Sequence, residues 1–169
     1  IICDRLEKVT ACLSETQTVD DTTGLHNRET FLKILDDEIH RAHRYGSKLS
    51  LCLMEFDVAA TNPGPTAGYR EAILRSLSKF FSRNIRNSDI LGRFDHRSFA
   101  LLVPQTSARQ ARFICDRLQN LFDKEHLEKD DIRLMLTFGL AELNPDKDQT
   151  GSDLMARAAE SLSSAKTSR

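Results

Sequence analysis

The stretch that most limits how this chain can fold is a short one near its middle. Residues 90–94 and 99–103 are apolar runs of strand length, separated by four polar residues, Asp95, His96, Arg97 and Ser98, which predicts a β-hairpin. Two further apolar runs of strand length cover 49–56 and 132–143. Helical spacing appears between them. Phe31, Leu32, Leu35 and Ile39 mark one helix, and Ile73, Leu74, Leu77, Phe80, Phe81 and Ile85 a second. Ala108, Ala111, Ile114, Cys115, Leu118 and Leu121 mark a third, and Leu154, Met155, Ala158, Ala159 and Leu162 a closing one. The order helix, strand, helix, hairpin, helix, strand, helix predicts an α+β layer architecture, a mostly antiparallel sheet with helices packed on it.

Punctuation between these runs is local chemistry. Asn27 is an expected helix cap, and Tyr45-Gly46 an expected helix end. Ser152 is expected to cap the closing helix. Residues 59–68 carry two prolines and two glycines and are expected to form a loop. At the other end Ile2, Leu6, Val9 and Leu13 follow a 4-3-4 spacing, the seam of a short coiled coil. Two heptads are marginal alone, and two readings stay open: a stalk that dimerises, or a helix packed on its own domain. The chain opens on Ile1 rather than Met and is read as a piece of something longer, with residues 1–18 a helical stalk or linker and 19–169 one domain.

Composition excludes several classes. A formal charge of -1 argues against a general nucleic-acid binder, which needs a basic face. No apolar run reaches the ~18 residues of a membrane span, and no signal peptide is visible. Cys3, Cys12, Cys52 and Cys115 are far apart and form no Cys-x-x-Cys; reduced thiols in the cytoplasm are expected rather than disulfides or a zinc site. His40 and His43 share a helix face but lack a third ligand.

Five segments, in order, resemble the GGDEF domain of diguanylate cyclases, which join two GTP into cyclic di-GMP. These are Asp20-Asp-Thr-Thr-Gly-Leu-His-Asn-Arg28, Leu53-Met-Glu-Phe-Asp57, the frame Gly92, Arg93, Phe94, Phe99, Leu101 and Pro104, Leu136-Thr-Phe-Gly139, and Arg157-Ala-Ala-Glu-Ser-Leu-Ser-Ser-Ala-Lys166. The resemblance implies a fold like the palm of nucleotide cyclases and polymerases, with a central five-stranded sheet flanked by helices. It also implies a catalytic site in which carboxylates hold divalent metal ions against the phosphates. One such carboxylate maps to Glu55, and the acidic pair of the hairpin maps to Arg97 and Ser98.

Those positions argue against catalysis. The signature pentad reads Asp95, His96, Arg97, Ser98, Phe99, so a guanidinium stands where an acid is expected and two glycines carry side chains instead. The guanine-reading region lacks its Lys; Asn62 or Glu71 are the available substitutes. Loss of cyclase activity is therefore expected, with no magnesium and no other cofactor. Arg97 with Lys166 offers a rival, metal-free contact to a triphosphate; otherwise Arg97 is a solvated tip residue and Lys166 a helix-end cation.

A second motif looks intact. Arg86-Asn-Ser-Asp89 ends six residues before Asp95, the register of the family's Arg-x-x-Asp product-binding site. Arg117 falls where the family carries a further arginine, supplied from a neighbouring molecule or domain. Arginine forks onto phosphate or guanine N7 and O6, and aspartate accepts from guanine N1 and N2 hydrogens. The expectation is an inactive signalling domain that binds cyclic di-GMP at Arg86, Asp89 and Arg117 and relays it to a partner or attached domain; homodimerisation through the stalk stays one of the two open readings of residues 1–18. A nucleotide-free interaction scaffold is the alternative.

Overall fold

The computed structural model describes residues 17–59, 66–125 and 133–168. The coiled-coil spacing from Ile2 to Leu13 and the candidate base contact Asn62 lie outside them. Eight elements follow: α1 (Arg28–Tyr45), β1 (Leu49–Ala59), α2 (Ala67–Asn84), β2 (Ile90–Arg93), β3 (Ser98–Pro104), α3 (Ala108–Glu125), β4 (Arg133–Glu142) and α4 (Gly151–Thr167). This is the expected order of elements.

The strands pair antiparallel in the order β2-β3-β1-β4. Alternation along β1 decides what packs where. Cys52, Met54 and Phe56 join Phe99, Leu101 and Val103 against α2 and α3, in a cluster holding Phe80, Phe81, Leu118 and Phe122. Leu49, Leu51 and Leu53 point the other way with Ala100 and Leu102, onto Phe31, Leu35 and Ile39 of α1 and Leu154, Ala158 and Leu162 of α4. Helices therefore cover both faces, which is why β1 reads as an unbroken apolar run rather than an alternating one.

Several details differ from expectation. The sheet has four strands among the described residues, not five. The fifth came from the resemblance alone; the sequence supplies only four apolar runs. Helix α2 begins at Ala67, inside the stretch expected as loop, because the Thr66 hydroxyl accepts from Tyr69 N and caps it. The closing helix is capped at Thr150, not Ser152. There Asp153 reaches back to accept from Thr150 N at 2.9 Å, and Gly151 N donates to Asp36 Oδ1 of α1 at 2.7 Å. Asn27 caps α1 as expected by accepting from Thr30 N, and Gly46 closes that helix at φ +61°.

Two contacts position the hairpin. Asp20 and Arg93 form an ion pair at 2.8 Å that ties the segment before α1 to β2. Burial works to raise the Asp20 carboxyl, but hydrogen bonds from Thr23 and Arg93 outweigh it and hold it below its ordinary value. At the far end of the sheet Glu142 accepts from Ala108 N at 2.7 Å, so a β4 side chain caps the start of α3.

Candidate functional site

Glu55 sits where three strands meet, opposite Ser98 on β3 and Thr137 on β4. It is only 8% exposed, so its carboxylate is largely removed from water and needs partners. It has two. Arg97 Nε lies 3.2 Å from Oε1, and Lys166, on the last turn of α4, pairs with the same oxygen. Arg97 also approaches Asp57 Oδ1 at 3.6 Å.

The hairpin tip aims Arg97 at this spot through its backbone. Phe56 N donates to Arg97 O at 3.0 Å, Phe94 N donates to Ser98 O at 2.9 Å, and Arg97 N donates to Asp95 Oδ1 at 2.9 Å. Burial alone would push the Asp95 carboxyl up, yet the Arg97 N–H holds it below its ordinary value. Two carboxylates and two cations thus balance around Glu55. Arg97 is not a free tip residue, and Lys166 does not stop at the helix-end carbonyls.

The other expected residues fall elsewhere. Glu71 is exposed on α2 and pairs with Arg75 at 3.1 Å. His40 Nδ1 meets Asp36 O and His43 Nε2 meets Asp148 O, so the two imidazoles face different partners. Among the described residues no group of three histidine, cysteine, aspartate or glutamate side chains is placed to hold a metal ion. Cys52 and Cys115 are free, buried thiols.

A second site lies between α2, the β3–α3 junction and α3. After α2 ends, residues 86–89 close a turn in which Asp89 N donates to Arg86 O at 3.0 Å and Arg86 N donates to Asp89 Oδ2 at 2.9 Å. Arg117 on α3 donates to Asn84 O at 2.8 Å, satisfying a carbonyl at the end of α2. Arg86 and Arg117 both line an open cleft of about 310 Å³, with Gln105, Thr106, Gln110, Phe113 and Ile114. Both arginines line this cleft from the same chain. Asp89 holds the turn and is not among the lining residues. The expected site residues had not included Gln105, Gln110 or Phe113. A large apolar residue off the buried stripe of α3 was the available signal for the last.

A family model described as "Diguanylate cyclase, GGDEF domain" matches residues 17–169. The chain belongs to the GGDEF family. Diguanylate cyclase DosC of Escherichia coli K12 is 30% identical over 135 residues, 77% of this chain and 29% of DosC. Probable diguanylate cyclase DgcE of the same strain is 31% identical over 117 residues, 68% of this chain and 10% of DgcE. The chain thus spans less than a third of either relative. Among solved structures, the coiled coil and GGDEF domain of Caulobacter crescentus DgcB, in complex with c-di-GMP, superposes with a TM-score of 0.79 at 20% identity, covering 98% of this chain and 89% of that one. Diguanylate cyclase SiaD of Pseudomonas aeruginosa, in complex with its activator SiaC, gives 0.76 at 25% identity over 99% of this chain and 66% of that one.

Proposed function

We propose that this domain binds cyclic di-GMP without making it, and passes the signal to an attached domain or partner. One contrast carries the reading: Glu55 is already held by two cations, whereas Arg86 and Arg117 open onto a cleft. A catalytic metal does not fit beside Glu55. Each pair of unit charges ~4 Å apart interacts by about 4 kcal/mol at an effective dielectric near 20. A divalent ion would meet that repulsion twice over from Arg97 and would have to displace Lys166 as well. The residues at the pentad positions, Asp95 and His96 included, add bulk where phosphates would approach the backbone.

The cleft is of a size for part of a nucleotide ligand, at the low end of the ~300–1,000 Å³ range of small-molecule sites. A two-fold-symmetric dinucleotide would leave its second half exposed for another surface, and the domain would signal through the difference in affinity between the two arrangements. The DgcB structure, a relative solved with c-di-GMP, supports the ligand class.

Titration calorimetry with cyclic di-GMP on the wild type and Arg86→Ala tests this. Micromolar binding, lost in the variant, is expected. Absence of heat in the wild type would leave the interaction scaffold as the surviving account.

A further inference from the structure

Phe113 is 64% exposed in the middle of α3, although Ala111, Ile114, Cys115, Leu118 and Phe122 bury the stripe of that helix facing the core. It contributes nothing to the core and lies one helical turn before Arg117, on the same side of the helix. Both line the cleft that also holds Arg86. A flat apolar ring that shares a cleft with two arginines suits a flat base carrying a phosphate on its edge.

Two glutamines complete the surroundings. Gln110 Oε1 accepts from Ser107 N at 2.9 Å and from Ser107 Oγ at 3.1 Å, which commits its oxygen and leaves its amide hydrogens as donors. Gln105 holds φ +53°, the only residue other than glycine with positive φ among the described residues. Guanine presents acceptors at O6 and N7, which suit amide and guanidinium donors.

We propose that Phe113 is the stacking platform for one guanine of the bound dinucleotide, with Arg86 and Arg117 on its phosphates and Gln110 a donor to the base edge. This rests on the receptor reading above and adds to it the residue that selects for a base. Without Phe113 the cleft would attract phosphates in general; with it, the cleft discriminates a purine nucleotide from inorganic phosphate.

The chain contains no tryptophan, so Phe113→Trp introduces a single reporter. Phe113→Ala is expected to weaken cyclic di-GMP binding about tenfold or more in calorimetry, the scale of one lost base stack. Phe113→Trp should keep the affinity and lose emission as cyclic di-GMP saturates the site, with inorganic phosphate at matched ionic strength leaving emission unchanged. Binding by the wild type that Phe113→Ala leaves intact, or indole emission in Phe113→Trp that is indifferent to ligand, overturns the stacking role while the receptor reading stands. A change in oligomeric state in Phe113→Ala with unaltered affinity would mark the ring as a protein contact and also overturn it. No binding by the wild type removes the receptor reading and this inference with it.

Discussion

Gly139 is where the sheet and α4 come closest. A Cβ built there would stand 2.5 Å from Ala158 O, Leu162 Cβ and Leu162 N, and two of those three atoms are backbone. Ordinary contact begins near 3.4 Å, so no rotamer change relieves the clash and β4 and α4 must part by nearly an ångström. Overpacking of this kind costs about 1–3 kcal/mol, with rigid partners putting Gly139→Ala at the upper end. Stiffening of the unfolded chain returns ~0.4–1 kcal/mol, leaving a net loss of about 2 kcal/mol, or roughly 4–8 °C in Tm. Gly68→Ala is a matched control, since nothing lies within 4 Å of its added Cβ and its helix prefers alanine, so it should stabilise slightly. Chemical denaturation followed by circular dichroism reads both variants. Lys166 lies one turn beyond Leu162, so Gly139→Ala should also pull it off Glu55. A Gly139→Ala protein within ~0.5 kcal/mol of wild type would refute the packing argument.

Glu55→Gln should cost about 1–2 kcal/mol, below the usual loss for a broken buried pair because both cations are partly exposed. It should cost more than Lys166→Met, and its deficit should shrink in high salt, both measurable by denaturation at two ionic strengths. Asp20 and Glu142 are both held below their ordinary values of 3.8 and 4.5, so the stability they confer is complete above those values and lost as pH falls through the lowered folded ones. Asp20→Asn should therefore flatten the acid limb of a stability–pH curve; an unchanged limb would contradict the ion pair with Arg93. The Cys115 thiol beside it, together with burial, pushes the Cys52 thiol well above its usual range. In a Cys3→Ser, Cys12→Ser background, Ellman's reagent should find no reactive thiol until the protein is unfolded.

How much of this was legible followed from distance along the chain. Asn27 and Gly46 announce the ends of α1 because caps act within a turn of themselves. The cap of α4 was misplaced by two residues, since Thr150 and Ser152 are chemically alike and only the reach of Asp153 separates them. The overlap of Ala67 and Gly68 with a Pro/Gly stretch hid the start of α2, because loop composition outweighed a cap at Thr66. The resemblance put Glu55, Arg97 and Lys166 at one site, but their pairing with each other was not readable: 111 residues separate Glu55 from Lys166, and no periodicity spans that gap. That Arg86 and Arg117 line one cleft likewise depends on α3 lying against the end of α2.

The central claim is that the domain receives cyclic di-GMP and does not produce it. Incubation with GTP and Mg²⁺, followed by mass spectrometry for cyclic dinucleotides, tests it most directly. No cyclic di-GMP above a protein-free blank is the predicted result. Product that accumulates with the wild type and vanishes in Glu55→Gln would contradict it.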